Sequence, residues 1–344
     1  MRVAGVIGKV WFPLWGRFTQ LTIPDQTDRV TTLEVVGREV VAHDNNVVAL
    51  TMAAPDRGEL TPWYAGAHLD LLLPSGRMRE YSLCGDPADR RHYRIAVRRI
   101  PDGGGGSIEV HDTLDVGGSV RIKVPRNAFP LAAPGYGSPA KNLRFIAGGI
   151  GITPILPMLG AAQRLGLEWS MVYTGRSVDS LPFLSELAVY GDRVTIRTDD
   201  HNGLPSAADL LGPTPTGTAV YCCGPPPMLN SIRTELLGRG DIELHFERFS
   251  PPPVEDGRPF TVGLDSSGQQ IPVGATESTL AAIRRELPSV PYSCQQGFCG
   301  TCKVRVLAGE VDHRDNILTE PEREAGVMLT CVSRAAGDHL RLDL

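Results

Sequence analysis

The sequence contains, near its C-terminal end, the stretch Cys294-Gln295-Gln296-Gly297-Phe298-Cys299-Gly300-Thr301-Cys302. The spacing C-x4-C-x2-C followed by a distant cysteine is that of a plant-type 2Fe-2S cluster, whose two irons need four thiolates. The stretch therefore predicts an iron-sulfur cluster. The predicted ligands are Cys294, Cys299, Cys302 and Cys331.

Two other uses of four cysteines are less consistent with this pattern. Structural zinc sites usually take their ligands as two short C-x2-C pairs, which this spacing does not provide. Disulfides would need an oxidising compartment. Gly297 and Gly300 allow the loop to turn tightly, so that backbone N-H groups can point at the cluster sulfurs. The cluster is the favoured interpretation.

Length and composition indicate a soluble protein of several domains. A chain of 344 residues is expected to form two or three domains. It has 42% hydrophobic and 21% charged residues, and its net charge of -5 gives no reason to expect nucleic acid as a partner. No run of about 18 apolar residues predicts a transmembrane helix. Three further cysteines beside a cluster suit a reducing cytoplasm, which is the expected location.

Residues 1–28 form an N-terminal arm rich in aromatic side chains, including Trp11 and Trp15. Such a segment could be a signal peptide or a membrane-surface helix. Lys9 and Pro13 interrupt its apolar stretch, and no small-residue cleavage site follows. The arm is therefore expected to pack on the body of the protein or on a partner.

The first domain is expected over residues 29–136, where short segments of alternating polarity are separated by turn signals. This pattern predicts a small antiparallel β-barrel. The segments are Thr32 to Val36, Glu39 to Ala42, Val47 to Met52, His68 to Leu73, Arg79 to Leu83, Tyr93 to Arg98 and Ser119 to Val124.

Two short motifs in this domain suggest a flavin site. Arg79-Glu80-Tyr81-Ser82 would place an arginine, a tyrosine and a serine on one strand, although alone it could be a solvated edge. The run from Gly103 to Gly106, followed by Ser107, could hold a terminal phosphate at a helix start, or could be a flexible hairpin loop. Together they provide the parts that a flavin mononucleotide requires.

These motifs resemble the flavin domain of the phthalate dioxygenase reductase family, which includes the vanillate demethylase reductases. The resemblance is carried by the runs Arg79 to Cys84, Ile95-Ala96-Val97, Gly105-Gly106-Ser107 and Val124-Pro125-Arg126-Asn127. It implies FMN as the flavin, with the phosphate bound by Arg79. It also implies that Tyr81 lies along the flavin and that Ser82 approaches the redox edge. The remaining flavin contacts implied are Ala96, Val97, Gly105, Gly106 and Ser107.

The second domain is expected over residues 137–249, where strands, loops and helices alternate as in a parallel α/β sheet. The strand Leu143 to Ala147 runs into Gly148-Gly149-Ile150-Gly151-Ile152-Thr153-Pro154 and then a helix. Such a glycine loop suits a pyrophosphate, with Thr153 as helix cap and Pro154 in the first turn. It resembles the nucleotide loop of ferredoxin-reductase-type NAD domains, in which Gly149, Gly151, Thr153 and Pro154 would bind the cofactor.

Further nucleotide contacts are expected at the ends of later strands. Trp169 to Thr174 is a strand that ends beside Arg176, and another strand ends at Cys223-Gly224-Pro225. A cysteine there could be a buried structural thiol, but the resemblance places Cys223 beside the nicotinamide as a positioning residue. Thr174, Arg176, Gly224 and Pro225 belong to the same predicted site.

The sequence constrains two further features less strongly: which nicotinamide cofactor binds, and which aromatic side chain lies against the flavin. Arg176 could bind the 2′-phosphate of NADPH, whereas Asp199 and Asp200 would repel it and accept from a hydroxyl, which favours NADH. Near the end of the domain, the resemblance implies an aromatic against the flavin or nicotinamide pocket. Phe246 is the candidate, with an ordinary core phenylalanine as the alternative.

Residues 250–257 are rich in proline and predict a semi-rigid linker. Residues 258–344 then predict a hairpin at Pro259 to Leu264 and Gln270 to Val273, a helix over Thr279 to Glu286 and a strand over Lys303 to Ala308. With the four cysteines, this arrangement resembles a β-grasp plant-type ferredoxin domain.

The order of the three domains implies a route for electrons. NADH delivers two electrons as a hydride, FMN accepts both and can release them singly, and the cluster accepts one at a time. The resemblance therefore implies a monomeric NADH-dependent reductase that serves a separate Rieske-type oxygenase. A haem-thiolate monooxygenase is an alternative acceptor, and a non-catalytic iron-sulfur sensor is a third interpretation.

Overall fold

The computed structural model describes residues 30–44, 46–101, 105–132, 138–249, 252–292, 295–297, 300–315 and 317–344. The N-terminal arm therefore lies outside the described residues, as do the predicted cluster ligands Cys294 and Cys299. Among the helices that the structure describes, none is long and apolar enough to cross a membrane.

The first sheet is an antiparallel β-barrel, which we call the barrel (residues 30–127). Its strands are β1 (Val30–Ala42), β2 (Val47–Ala53), β3 (Ala67–Leu72), β4 (Met78–Ser82), β5 (His92–Arg98), β6 (Ser119–Lys123) and β7 (Arg126–Asn127), and helix α1 (Gly106–Thr113) lies between β5 and β6. The strand order is β4-β3-β6-β1-β2-β5, with β7 paired to β3. A bridge between Leu83 and Ile95 joins the two ends of this order, which closes the barrel. Leu33, Leu50 and Leu69 fill its interior.

The prediction of two strands over residues 32–36 and 39–42 was wrong, because β1 runs continuously from Val30 to Ala42. The pairing of β1 with β2 shifts register between Val35 and Gly37. A bulge of this kind bends a strand without ending it and breaks the alternation of polar and apolar residues. The sequence pattern therefore suggested a gap where the backbone has only an irregularity.

The second sheet is parallel, as predicted, and belongs to the parallel-sheet unit (residues 142–247). Its strands are β8 (Asn142–Gly148), β9 (Glu168–Gly175), β10 (Val194–Thr198), β11 (Thr218–Cys223) and β12 (Ile242–Glu247), in the order β10-β9-β8-β11-β12. Its helices are α2 (Ile152–Arg164), α3 (Leu184–Leu187), α4 (Asp199–Asn202), α5 (Ala207–Leu211) and α6 (Pro226–Glu235). All residues of β11 are buried, as expected for a strand covered on both faces.

The third sheet forms the C-terminal unit (residues 260–342). Its strands are β13 (Phe260–Leu264), β14 (Gln270–Val273), β15 (Lys303–Ala308), β17 (Val327–Leu329) and β19 (His339–Leu342), and β16 (Val311–Asp312) pairs with β18 (Arg334–Ala335). Helices α7 (Thr279–Glu286) and α8 (Glu320–Glu324) complete it. The side chain of Ser278 caps α7 by accepting from the N-H of Ala281 at 3.1 Å.

The predicted fold class is confirmed. An antiparallel barrel, a parallel α/β sheet and a C-terminal unit of the ferredoxin type occur in that order along the chain. The predicted sequence of domains therefore matches the sequence of sheets.

Candidate functional site

A cavity of about 400 Å³ lies where the barrel, the parallel-sheet unit and the C-terminal unit meet. This volume is within the range of ligand pockets, roughly 300–1,000 Å³. The barrel contributes most of the wall, and the other two units close it. Predicted site residues in the wall are Arg79, Tyr81, Ser82, Ala96, Val97, Ser107 and Thr153. Sequence reasoning therefore identified one side of the cavity.

One corner of the cavity has the chemistry of a phosphate site. We call Arg79, Gly105, Gly106 and Ser107 the phosphate corner. Gly105 precedes α1 with a φ of 80°, and a Cβ on Gly106 would lie 2.3 Å from the Nε of Arg79. Only glycine at 106 therefore allows the arginine to lie across the start of the helix. A guanidinium group, a helix N-terminus and a hydroxyl in one corner fit the phosphate of FMN.

Four neighbouring side chains of the wall, those of Tyr81, Ser82, Ala96 and Val97, are uncharged and suit a flavin ring. Ser82 is buried, and burial raises the pKa of Tyr81 to about 12, so its phenol remains neutral at physiological pH. Ala96 and Val97 of β5 line the cavity beside them. An aromatic and aliphatic wall with few polar groups is typical of cofactor pockets.

An ion-pair network lies next to the cavity. Arg126 donates to both carboxylate oxygens of the buried Asp70, at 2.7 and 2.8 Å, and approaches Glu80 at 3.4 Å. His68 offers a ring nitrogen close to the same carboxylates. One guanidinium is shared between the two carboxylates, so this group of residues fits a charge network that joins β7 to β3 and β4.

The glycine loop packs tightly against the end of β11. A Cβ on Gly151 would lie 2.3 Å from the carbonyl oxygen of Cys223, whereas Gly149 has a φ of 54° and open space around it. Pro154 lies in the first turn of α2, as predicted. The expectation that Thr153 caps this helix was wrong, because α2 begins at Ile152 and the Thr153 hydroxyl donates to the Ile150 carbonyl at 3.0 Å.

The remaining predicted nucleotide residues are not among those that line the cavity. Cys223 is fully buried at the end of β11, and burial, together with the Glu247 carboxyl, raises the pKa of its thiol well above the usual value. A neutral, buried thiol is a poor nucleophile, which agrees with a positioning role. Gly148 packs closely on Pro225, where a Cβ would lie 2.7 Å from Cδ.

Thr174 and Arg176 lie at the end of β9. The Thr174 hydroxyl is buried and has no hydrogen-bond partner among the described residues, while Arg176 is exposed. The N-H of Asp200 donates to the carbonyl of Arg176 at 3.1 Å, so a carboxylate and a guanidinium follow neighbouring strands at this edge. An unsatisfied hydroxyl and mixed charges at the carboxyl ends of parallel strands fit a nucleotide site.

The structure brings Phe249, not Phe246, to the cavity. Phe246 lies on β12, packs against the apolar cluster around Cys222 and is flanked by the guanidinium groups of Arg233 and Arg248, 5.5 and 5.4 Å from its ring centroid. Phe249 lines the cavity and is 51% exposed. Phe246, the candidate chosen from the sequence, therefore packs in a core cluster, and Phe249 is the phenylalanine that reaches the cavity.

Glu247 was missed by sequence reasoning. It lines the cavity, is 7% exposed, and its Oε2 has no hydrogen-bond partner among the described residues. Burial, with a smaller repulsion from Glu80, raises the pKa of Glu247 to about 8, so the carboxyl is largely protonated at neutral pH. Its position could have identified it from the sequence, because it ends a strand and directly follows Phe246, a predicted cofactor contact.

Half of the predicted cluster ligands can be located. Cys302 and Cys331 are buried at 3% exposure each, and the N-H of Thr330 donates to the carbonyl of Cys302 at 3.2 Å. Gly297 and Gly300 have φ values of 81° and 76°. The positive-φ turns expected from these glycines are therefore present, and two buried cysteines whose backbones are joined through this hydrogen bond fit a cluster.

The cluster loop, residues 294–302, contacts the parallel-sheet unit directly. The Nε2 of Gln296 donates to the carbonyl of Arg248 at 2.6 Å, and both Gln295 and Gln296 line the cavity. The Tyr292 hydroxyl, just before the loop, donates to the carbonyl of Met78 in the barrel at 3.3 Å. The C-terminal unit is thus docked on both of the other units at the flavin-sized cavity.

Comparison with known proteins agrees with this arrangement. Residues 262–336 match the family model of the 2Fe-2S iron-sulfur cluster binding domain. The chain is 41% identical over 306 residues to the phenoxybenzoate dioxygenase subunit beta of Ectopseudomonas oleovorans, covering 87% of this chain and 93% of the relative. It is 35% identical to the phthalate dioxygenase reductase of Burkholderia cepacia, covering 94% and 100%. The chain belongs to the phthalate dioxygenase reductase family.

Solved structures support the same assignment. The structure of a phthalate dioxygenase reductase, 34% identical, superposes with a TM-score of 0.69 and covers 92% of this chain and 98% of that one. An intact type IV self-sufficient cytochrome P450 monooxygenase, 38% identical, gives a TM-score of 0.69, but this chain spans only 41% of its length. As a member of the phthalate dioxygenase reductase family, the protein is an electron-transfer oxidoreductase, and the predicted set of FMN, NADH and a 2Fe-2S cluster is confirmed.

Proposed function

We propose that this reductase passes electrons from NADH to a separate Rieske-type oxygenase. The observation that carries the proposal is the cavity shared by the barrel, the glycine loop and the cluster loop. When bound there, FMN would take up a hydride from NADH and release the electrons one at a time. The relatives named as a dioxygenase subunit and a phthalate dioxygenase reductase support an oxygenase as acceptor.

The roles of the residues follow from this proposal. The phosphate corner holds the flavin phosphate, Tyr81 lies along the ring, and Ser82 faces its redox edge. Ala96 and Val97 shape the ring pocket. The residues that bind NADH are Gly149, Gly151, Thr153, Pro154, Thr174, Arg176, Cys223, Gly224 and Pro225. Phe249 takes the gating role between flavin and nicotinamide, because it lines the cavity.

We also propose domain boundaries at residues 29–136, 137–249 and 258–344. The strands of the three sheets fall at 30–127, 142–247 and 260–342. Residues between these sheets belong to no strand or helix among those described, and such connections are usual domain boundaries.

Replacement of one cluster ligand tests the electron route. Cys299→Ser should abolish reduction of a one-electron protein acceptor, because the cluster loses a thiolate, while NADH oxidation by a small two-electron dye is largely retained. Steady-state rates with both acceptors measure this, and the buried Cys84→Ser, in the barrel, serves as the control. Equal loss of both activities in Cys299→Ser would contradict a route in which electrons pass from NADH to FMN before they reach the cluster.

The likeness to a self-sufficient P450 gives a second candidate acceptor, a haem-thiolate monooxygenase. The two candidates differ in the partner that supports turnover. NADH-driven product formation with purified Rieske oxygenases but not with P450s would support the proposal, and the reverse would favour the alternative. Reduction that stops after one equivalent of NADH with every acceptor would contradict both.

A further inference from the structure

Arg284 is a cationic side chain for which the described residues provide no acidic partner. It lies in the last turn of α7, within the C-terminal unit, and lines the cavity. Its guanidinium carbon is 3.8 Å from the centroid of the Tyr292 ring, and its Nε is buried without a hydrogen-bond partner among the described residues. A buried guanidinium nitrogen without an acceptor is costly, which indicates that an anion or another acceptor completes the site.

The position of Arg284 is set by Tyr292. The hydroxyl of Tyr292 and the Nη1 of Arg79 both donate to the carbonyl oxygen of Met78, at 3.3 and 2.9 Å. The ring under Arg284 therefore reaches the same backbone atom as the arginine of the phosphate corner. Two guanidinium groups, one from the barrel and one from the C-terminal unit, thus lie at the same end of the cavity.

Neither carboxylate in the cavity wall forms an ion pair with Arg284 among the described residues. Glu80 lies 3.4 Å from Arg126, which it shares with Asp70, and the raised pKa of Glu247 leaves that carboxyl largely protonated at neutral pH. A doubly charged phosphate would offset the repulsion between the two arginines and provide acceptors for both.

We propose that Arg284 is a ligand of the FMN phosphate contributed by the C-terminal unit. The inference rests on the flavin site proposed above and extends it. The phosphate then joins the barrel to the C-terminal unit, so that binding of FMN favours the docked position of the cluster loop. Riboflavin, which lacks the phosphate, would occupy the ring pocket without making this connection.

The test compares the affinities of FMN and riboflavin for the full-length protein freed of flavin. Arg284→Gln keeps the stem of the side chain on Tyr292 and removes the charge. It should raise the Kd of FMN about tenfold or more, a change of about 1.4 kcal/mol, and leave the Kd of riboflavin within about twofold. Quenching of flavin fluorescence measures both. Arg284→Lys should retain part of the FMN affinity.

The controls separate this inference from the flavin site itself. Arg341→Ala removes an exposed arginine of the same unit, 3.7 Å from Asp265, and should change neither Kd. Arg79→Ala should raise the Kd of FMN. If Arg79→Ala raises the Kd of FMN and Arg284→Gln does not, or if Arg284→Gln changes only the affinity for NADH, the inference is overturned. If neither substitution changes the Kd of FMN, the proposed flavin site fails as well.

Hydrogen exchange provides a second measurement that does not depend on turnover. FMN should slow the exchange of amides over residues 279–292 more than riboflavin does, because only FMN carries the connecting phosphate. The visible absorption of the cluster shows that the C-terminal unit of each variant is folded. Equal protection by the two flavins would overturn the proposed connection.

Discussion

At the residue scale, Glu247 shows how burial changes the chemistry of a carboxyl group. Its strand ends at the cavity, where both Cys223 and Glu80 are close enough to interact with it, and no cation neutralises it among the described residues. Desolvation disfavours the charged form and raises the pKa to about 8. The wall of the cavity therefore carries a proton at neutral pH that an exposed glutamate would have lost.

This raised pKa predicts a pH-dependent stability. An unfolded glutamate titrates near pH 4.3, so between about pH 4 and pH 8 the unfolded state releases its proton first and stability falls as the pH rises. Glu247→Gln removes this loss. Its Tm should exceed that of the unmodified protein by about 5 °C or more at pH 9, and the difference should shrink towards pH 5.

Thermal unfolding followed by circular dichroism at several pH values measures the effect. The exposed Glu310, on a turn of the C-terminal unit, provides a matched control, since Glu310→Gln should leave the Tm profile unchanged. A Tm difference between Glu247→Gln and the unmodified protein that does not vary with pH would contradict a raised pKa at Glu247.

At the element scale, the glycine loop fixes the position of α2 relative to β11. Gly151 has no positive φ, so the restriction there is steric: a Cβ would lie 2.3 Å from a backbone oxygen that cannot rotate away. The loop can approach the strand end this closely only without a side chain. The helix N-terminus is thereby held beside the end of the parallel sheet, where dinucleotides bind.

Gly151→Ala should therefore displace the start of α2. We expect a loss of about 1–3 kcal/mol of stability from overpacking, with a raised KM for NADH. Thermal unfolding and steady-state kinetics measure the two effects. Gly337→Ala is the control, because its Cβ would meet no atom within 4 Å. An unchanged KM with a lowered Tm would show that the loop does not position the nucleotide.

At the scale of the whole molecule, hydrogen bonds between units place the described part of the cluster loop at the cavity. Gln296 donates to the carbonyl of Arg248 at 2.6 Å, and Tyr292 donates to that of Met78. Electron transfer between flavin and cluster requires the loop to remain close to the cavity. The hydrogen bond from Gln296 comes from within the loop itself.

Gln296→Leu should slow reduction of the cluster several-fold while leaving reduction of the flavin by NADH unchanged, because only the docking of the loop is weakened. Stopped-flow absorbance at the two chromophores separates the steps. Gln269→Leu, which removes a hydrogen bond to Glu286 within the C-terminal unit, should alter neither step. Slower flavin reduction in Gln296→Leu would mean that the Gln296 contact affects the reaction of NADH with the flavin and not only the docking of the loop.

The sequence by itself determined the parts of this protein that contiguous residues encode. The spacing of the cysteines, the glycine loop before α2 and the arginine, tyrosine and serine of β4 are local patterns, because ligand spacing and turn conformation depend on neighbours in the chain. Alternating polarity predicted the barrel for the same reason.

Only the tertiary structure decided which side chains share the cavity. Alternation along β12 does not specify which face turns to the flavin, and packing directed Phe246 into a core cluster while Phe249 lines the cavity. Burial of Glu247 depends on the units packed around it. Tyr292 and Met78 are 214 residues apart, so the approach of Arg284 to the phosphate corner results from the docking of separate units. Such contacts have no local signature, because they arise from surfaces that meet only after each unit has folded.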